Sequence, residues 1–148
     1  ACNHPVNLDI EIKRHELAEK EPPEASKMVR HVVEEIHRSW DVKRTVVRSF
    51  DFEVLEEMKR QAPEIPLAVL TYETALSVKA ICEKFHPKIW APFYLTLSAE
   101  DICLAQSLGV EVIPYTVNTV QDFDRMIALG VSGLTTDYPK RLLEYLKR

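Results

Sequence analysis

Short segments with a strand pattern alternate with segments with a helix pattern along the whole chain. The predicted strands are 7–13, 44–50, 66–71, 88–94, 110–118 and 131–137. Such strict alternation predicts a parallel sheet, because each helix returns the chain to the end of the sheet at which the next strand starts. The sequence therefore belongs to the α/β class and forms a single domain without an internal linker.

The predicted helices carry recognisable start and stop signals. They cover 24–40, 52–62, 73–85, 98–108, 119–129 and 140–147. Asp51, Ser98 and either Thr119 or Asn118 stand where a polar side chain can cap the first turn of a helix. Asp137 is predicted to cap the terminal helix in the same way. Two helices are followed by a glycine that can close the last turn in the left-handed conformation, Gly109 and Gly130.

The first strand distinguishes between two parallel-sheet architectures. Its apolar residues alternate with Asp9, Glu11 and Lys13. Central strands of a doubly wound sheet are apolar on both faces, whereas a barrel strand can direct polar side chains to the barrel mouth. The pattern favours a TIM (β/α)₈ barrel. Because a complete barrel needs ~250 residues, the 148 residues are expected to form about six of its βα units.

Glu11 and Lys13 are the strongest candidate site residues. Residues two apart on a strand share a face. A carboxylate and an ammonium at a barrel mouth can bind a divalent metal and a phosphate oxygen. An interior ion pair, or a charged strand that faces solvent, would give the same pattern. Arg48 is expected to pair with Glu11, to touch a phosphate or to lie solvated near its strand end, and Asp9 is expected to be structural.

Other polar and aromatic residues lie at the carboxyl ends of later strands. Tyr94 and Tyr115 can wall a pocket, and the Asn118 amide can orient a loop, although simple packing at the rim is the alternative. The five histidines form no cluster. The sequence also contains no glycine-rich phosphate loop and no serine-centred nucleophile motif.

Composition excludes several function classes. The net charge of −4 argues against a nucleic-acid partner, whose binding surface is usually basic. No apolar run approaches the ~18 residues of a membrane span, so no stable membrane insertion is expected. The three cysteines are an odd number without metal-type spacing. Reduced, buried thiols at Cys82 and Cys103 in a cytoplasmic protein are therefore expected.

Five segments, in order, resemble the glycerophosphodiester phosphodiesterase family. They are 7–13 (NLDIEIK), 46–51 (VVRSFD), 91–94 (APFY), 115–118 (YTVN) and 130–139 (GVSGLTTDYP). The resemblance implies that the chain is the C-terminal portion of a single TIM-barrel domain. It also implies an enzyme of lipid and glycerol metabolism that hydrolyses small-molecule glycerophosphodiesters to sn-glycerol 3-phosphate and an alcohol.

The resemblance further implies roles for individual residues. Glu11 matches a ligand of a divalent metal, with Mg or Ca expected, and Lys13 matches a phosphate-binding lysine. Tyr115 stands where the family usually has tryptophan, and Ala91 where it usually has asparagine. The positions that match the pocket lining are Phe50, Tyr94 and Tyr115.

Other motifs of the family have no counterpart in this sequence. The family's His-Arg-Gly strand, Glu-x-Asp metal pair and His-Asp segment all precede the strand that carries the glutamate. The catalytic acid and base histidines are therefore expected upstream, with none in this chain. A catalytically inert fragment, or a binding or oligomerising module, is the alternative. Because six barrel strands leave two open edges, we expect a homo-oligomer or pairing with the missing N-terminal segment.

Overall fold

A computed structural model of the protein describes residues 7–14, 23–73 and 76–147. The chain divides into two compact units, Ala1–Val69 and Leu70–Arg148. The first unit contains β1 (Leu8–Glu11), α1 (Ala25–Ser39), β2 (Thr45–Ser49), α2 (Phe52–Gln61) and most of β3 (Leu67–Thr71). The second contains α3 (Val78–Phe85), β4 (Ile89–Pro92), α4 (Ala99–Ser107), β5 (Glu111–Val112), α5 (Val120–Ala128) and α6 (Pro139–Tyr145).

Neighbouring strands pair in parallel, as the alternation predicts. In the first unit β1 pairs with β2 and β2 with β3, and Glu11 lies opposite Arg48 in this register. In the second unit β4 pairs with β5, and a single bridge joins Phe93 to Tyr115. The last residue of β3 continues this pairing, since the Phe93 amide donates to the Thr71 carbonyl at 2.9 Å. Consecutive strands are therefore neighbours within each unit.

Each unit has its own apolar core beneath its helices. In the first unit the buried side chains recur on one face of α1, as the helical period requires. These positions are Ala25, Val29, Val33 and Ile36. In the second unit the largest fully buried side chains come from three helices and include Ile81, Phe85, Ile102, Phe123 and Met126.

The capping predictions are largely confirmed. The Asp51 carboxylate accepts from the Glu53 and Val54 amides, and Ser98 and Thr119 cap α4 and α5 in the same manner. Gly109 and Gly130 have φ values of 78° and 80°, where a side chain would be strained. The helix predicted from 73 begins later, at Val78, because the Ser77 hydroxyl accepts from the Ala80 amide and starts it there.

The prediction of Asp137 as a cap is wrong. No side chain caps α6, whose preceding residue is Tyr138. The Asp137 carboxylate instead accepts from the Asn118 amide nitrogen at 2.8 Å. Asn118 is 19 residues from Asp137 in sequence. Its amide engages the Asp137 carboxylate, which therefore does not cap the helix.

The strand predicted at 131–137 is also not a regular strand. This segment does follow 112–117: the Ser132 amide donates to the Val112 carbonyl at 2.8 Å, and the Thr135 amide to the Pro114 carbonyl at 2.9 Å. However, the Val112 amide donates to the Ser132 hydroxyl in place of a backbone carbonyl. Pro114 has no amide hydrogen to continue the ladder towards this segment.

The two described cysteines differ in environment. Cys82 is buried, as predicted, and burial raises the pKa of its thiol. Cys103 is exposed, so the prediction of a buried thiol is wrong at this position. It lies on α4, where only Ile102 and Ala105 are buried.

Among the described helices, none is long and apolar enough to cross a membrane.

Asp51 gives a pH-dependent test of the first unit. Burial opposes its ionisation, but the hydrogen bond and charge of Arg14 and the amides of Glu53 and Val54 outweigh this effect, so its pKa lies below the ordinary value. The stabilisation is therefore present at neutral pH and is lost as the pH falls through this depressed pKa. Asp51→Ala is expected to lower the free energy of unfolding by about 1–2 kcal/mol at pH 7, and by less in acid.

Urea unfolding at pH 7 and in the acid range checks this expectation. Asp51→Asn separates the two contributions, because the amide oxygen can still cap α2 but cannot form an ion pair with Arg14. Glu83→Gln, at an exposed position of α3, is the control and should change little. An equal loss for Asp51→Ala at both pH values would contradict the proposed role of the ionised carboxylate.

Candidate active site

Glu11 and Lys13 lie together where β1 ends. The Lys13 Nζ atom is 3.3 Å from Glu11 Oε1, and the two side chains keep 53% and 30% of their surface accessible. Both project from the polar face of the strand, while the intervening Ile12 is buried on the opposite face. The structure therefore brings the two main predicted site residues into contact. It leaves them accessible to a ligand.

Arg48 is buried on the same face and does not pair with Glu11. It lies opposite Glu11 in the strand register, yet its guanidinium reaches back to Asp9. Nε donates to Asp9 Oδ1 at 2.6 Å, and Nη2 donates to Asp9 Oδ2. The predictions that Arg48 pairs with Glu11 or lies solvated are wrong, because its guanidinium is buried and makes a two-pronged contact with Asp9 that matches the guanidinium fork. A contact of Arg48 with phosphate stays a prediction. Asp9 has the structural role predicted for it.

Lys13 also lines a small cavity with Phe50. The cavity has a volume of ≈ 190 Å³ and lies between the ends of β1 and β2. Phe50 keeps 43% of its surface exposed, so its ring forms an accessible apolar wall. Two predicted site residues of the first unit thus border one space. The complete lining is Ile12, Lys13, Arg14, Ser49, Phe50 and Asp51.

Arg14 is a structural residue of this region that the sequence analysis missed. Its Nε donates to Asp51 Oδ2 at 2.6 Å, and its Nη2 donates to Glu53 Oε2 at 2.5 Å. These carboxylates hold the guanidinium charge and raise the pKa of Arg14 despite its partial burial. The contact links the end of β1 to the start of α2. No local pattern could reveal it, because its partners are 37 and 39 residues away.

In the second unit the predicted residues Tyr94 and Tyr115 lie around Phe93. Their ring centroids are 5.3 Å and 6.0 Å from that of Phe93. The Tyr115 hydroxyl donates to the Thr71 carbonyl at 3.1 Å, which fixes the ring at the end of β3. Tyr72 adds a further ring 5.0 Å from Phe93. The sequence analysis identified Tyr94 and Tyr115 but missed Tyr72, which directly follows the predicted strand 66–71, and Phe93, which lies near the end of the predicted strand 88–94.

Asn118 orients a loop, as predicted. Its Oδ1 atom accepts from the Thr136 hydroxyl at 3.1 Å and from the Asp137 amide at 3.0 Å. Its backbone carbonyl accepts from Arg141 Nη1 at 3.0 Å. The side chain is thus occupied in holding the segment before α6.

The described residues do not complete a metal site. Within 7–14, 23–73 and 76–147 there is no group of three or more His, Cys, Asp or Glu side chains that could hold an ion. Asp9 is paired with Arg48, so Glu11 is the carboxylate of β1 that can serve as a ligand. A carboxylate oxygen is the kind of ligand that Mg²⁺ and Ca²⁺ bind, but one such ligand is too few to hold either ion.

Comparison with known proteins identifies the family. The model of the glycerophosphoryl diester phosphodiesterase family matches residues 2–141. The chain belongs to this family. The match includes β1 with Glu11 and Lys13 and extends into α6.

Individual relatives agree with this assignment. A glycerophosphodiester phosphodiesterase of Caldanaerobacter subterraneus is 27% identical over 105 residues, which are 71% of this chain and 43% of that protein. The structure of a glycerophosphodiester phosphodiesterase from Parabacteroides distasonis superposes with a TM-score of 0.81 at 24% identity, over 95% of this chain and 57% of the other. An Oleispira antarctica phosphodiesterase, solved with sn-glycerol-3-phosphate, gives a TM-score of 0.78 at 15% identity, over 84% and 51% of the two chains.

These structures confirm the predicted fold class. Members of the glycerophosphoryl diester phosphodiesterase family are TIM barrels, and the described strands are parallel and alternate with helices as in part of such a barrel. The chain spans about half or less of the length of the curated relatives it matches. The activity of the whole protein is therefore treated below as a proposal.

The ion pair between the buried Arg48 and the partly exposed Asp9 can be tested by a double-mutant cycle. Asp9→Asn removes the charge that balances Arg48 and is expected to destabilise the protein by about 1–2 kcal/mol, less than for a fully buried pair because Asp9 is partly exposed. Arg48→Met should cost less, since no buried charge remains. Urea unfolding of both single variants and the double variant measures the coupling.

The Lys27–Glu24 pair at the surface is the matched control for this cycle, and its coupling should be close to zero. Strictly additive effects of Asp9→Asn and Arg48→Met would contradict an energetically significant contact.

Proposed function

We propose that the full-length protein hydrolyses glycerophosphodiesters and releases sn-glycerol 3-phosphate and an alcohol. The observation that carries this proposal is the Glu11–Lys13 pair, accessible at the end of β1, within a chain that the family model matches over residues 2–141. The product complex of the Oleispira antarctica phosphodiesterase is consistent with a small-molecule substrate of this type. Such a reaction would belong to lipid and glycerol metabolism.

Lys13 is proposed to bind the phosphate. Its ammonium is a compact charge on a flexible stem, and 53% of its side-chain surface remains accessible. A cation at this position stabilises negative charge that develops on the phosphoryl oxygens during displacement. The nearby Phe50 ring offers an apolar wall against which the carbon skeleton of the substrate can pack. Both residues border the same cavity, which supports a common role.

Glu11 is proposed to contribute one oxygen ligand to a divalent cation, with Mg²⁺ or Ca²⁺ preferred because both select oxygen ligands. Its 3.3 Å contact with Lys13 holds the carboxylate on the same face as the ammonium. Since the described residues do not complete a ligand set, the proposal requires further ligands from other parts of the protein.

The described histidines do not suit acid–base catalysis at this site. His31 and His37 lie on α1, where His37 Nε2 is 2.9 Å from Glu64. His86 ends α3 in the left-handed conformation. None of these three follows a strand at its carboxyl end, where barrel enzymes place catalytic groups. Proton transfer is therefore proposed to depend on residues other than the described histidines.

The alternative is that this chain is a binding or oligomerising module without turnover. The incomplete ligand set among the described residues favours this alternative for the 148-residue chain by itself. Comparison of that chain with the full-length protein distinguishes the two functions. Turnover by the full-length protein alone supports the enzyme, and absence of turnover in both supports the module.

Glu11 and Lys13 provide the direct test. In the full-length protein, Glu11→Gln and Lys13→Met are each expected to lower kcat/KM for a glycerophosphodiester by about 10²–10³-fold, as for loss of a group that stabilises transition-state charge. Release of sn-glycerol 3-phosphate is measured with a coupled dehydrogenase. Glu11→Gln should also weaken the apparent affinity for the activating cation.

The exposed Lys79–Glu83 pair of α3 gives matched controls, since its atoms are 3.7 Å apart and its side chains are accessible. Lys79→Met and Glu83→Gln should leave kcat/KM within about twofold. Thermal unfolding of all four variants separates loss of function from loss of folding. Full activity of a folded Glu11→Gln variant would refute the proposal.

A further inference from the structure

Two carboxylates of β1 lie on the face of the sheet that carries the guanidinium of Arg48. Asp9 and Glu11 are two residues apart on the strand and therefore share a face. Arg48 lies opposite Glu11 in the parallel register, and residues opposite each other in paired strands direct their side chains to the same face. Because neighbouring strands are only about 4.8 Å apart, both carboxylates are within reach of an arginine side chain.

The buried guanidinium takes Asp9 as its partner. Arg48 keeps 9% of its surface exposed, and a charge buried to this extent needs an opposite charge beside it. Its Nε atom donates to Asp9 Oδ1 at 2.6 Å, and its Nη2 atom donates to Asp9 Oδ2. This two-pronged contact uses both oxygens of Asp9. Glu11 is left with the Lys13 ammonium, whose Nζ atom is 3.3 Å from Glu11 Oε1.

The carboxylate that follows β2 is not free to replace Asp9. One oxygen of Asp51 accepts from Arg14 Nε at 2.6 Å, and the other accepts from two backbone amides at the start of α2. Glu11 is instead exposed and lies directly opposite Arg48. If Asp9 loses its charge, Glu11 is therefore the carboxylate to which the buried guanidinium turns.

A contact between Arg48 and Glu11 would close the candidate site. Guanidinium hydrogens would occupy the Glu11 oxygens, and a cation that approached them would meet the positive charge of Arg48. The apparent affinity of a site falls in proportion to the fraction of molecules in which the site is open. Capture of Glu11 by Arg48 would thus weaken cation binding, and a higher cation concentration would overcome the effect.

We propose that Asp9 is a positioning residue of the candidate site. It holds Arg48 away from Glu11 and thereby keeps the Glu11 carboxylate open to a divalent cation. Asp9 contacts neither substrate nor cation in this arrangement, because it acts through Arg48. The inference rests on the proposed function, in which Glu11 is a cation ligand, and adds to it an internal competitor and the residue that restrains this competitor.

Binding of Mn²⁺ tests this role without turnover. Mn²⁺ takes the same kind of oxygen ligands as Mg²⁺, and electron paramagnetic resonance measures the free ion in titrations of the full-length protein. Asp9→Asn is expected to weaken Mn²⁺ binding about tenfold, as for a site that is open in about a tenth of the molecules. Asp9→Glu keeps the charge and should stay within about threefold of the wild type.

Two results of this titration would overturn the inference. One is an unchanged Mn²⁺ affinity in the Asp9→Asn variant. The other is a wild-type protein that binds no Mn²⁺, because Glu11 would then not be an open cation ligand.

Second-site variants separate positioning from simple structural support. Arg48→Met removes the competitor, so the Asp9→Asn/Arg48→Met double variant is expected to bind Mn²⁺ within about threefold of the wild type. In a Glu11→Gln background, Asp9→Asn should weaken the residual binding no further, because the carboxylate that Arg48 would capture is already absent. A loss that persists in the double variant, or that is equal with and without Glu11, would contradict a route through Arg48.

The surface pair of Glu57 and Arg60 on α2 supplies the matched control. It has the same chemistry as the contact of Asp9 with Arg48, since Nε and Nη2 of Arg60 both donate to the Glu57 carboxylate. Glu57→Gln and Arg60→Met are expected to leave Mn²⁺ binding within about twofold of the wild type. Thermal unfolding of every variant sets a measurement temperature at which all of them are folded.

Turnover separates this inference from the proposed function. At low Mn²⁺ the kcat/KM of Asp9→Asn for a glycerophosphodiester is expected to fall about tenfold, and saturating Mn²⁺ should restore most of kcat. A deficit that saturating Mn²⁺ leaves unchanged would contradict competition for Glu11. Normal activity and normal Mn²⁺ affinity of Asp9→Asn would refute the inference while the phosphodiesterase assignment stands. Mn²⁺ binding that responds to Asp9 and Arg48 as expected, in a protein without turnover, would support the inference and refute the assignment.

Discussion

The buried guanidinium of Arg48 is the constraint on which the strand ends of the first unit depend. A charge at 9% exposure must be paired, and the residue opposite it in the register is Glu11. Asp9 takes the guanidinium instead through two hydrogen bonds. Because Arg48 is satisfied by Asp9, the Glu11 carboxylate stays with Lys13 and remains accessible. The ionic pairing within two strands thereby determines which carboxylate is available for chemistry.

A second ionic contact organises the next layer of this unit. Arg14, the residue after Lys13, forms an ion pair with Asp51, which caps α2. This contact fixes the end of β1 against the start of that helix. In the second unit a backbone carbonyl has the comparable role, because Thr71 anchors both Phe93 and Tyr115. In both units, the accessible candidate site residues lie next to residues that are fixed by hydrogen bonds. Functional groups are commonly preorganised by such neighbours.

Sequence reasoning succeeded where the deciding interactions are local. The alternation of strand-like and helix-like spacing of apolar residues predicted the parallel strands and their connecting helices. Single residues such as Asp51, Ser98 and Thr119 marked the helix starts. It failed where a distant group competes with a local one. Asp137 was predicted to cap the terminal helix but accepts a hydrogen bond from Asn118. The segment 131–137 has a strand pattern, yet the Ser132 hydroxyl and Pro114 interrupt the ladder.

The candidate site shows the same division. The sequence by itself determined the fold class, the family resemblance and the shared face of Glu11 and Lys13, because these follow from the period of a strand and from short motifs. Only the tertiary structure decided the partner of Arg48, the role of Arg14 and the assembly of Tyr72 and Phe93 with the two predicted tyrosines. Each of these depends on contacts between residues far apart in the chain, whose choice of partner is set by burial and by competition among charged and hydrogen-bonding groups.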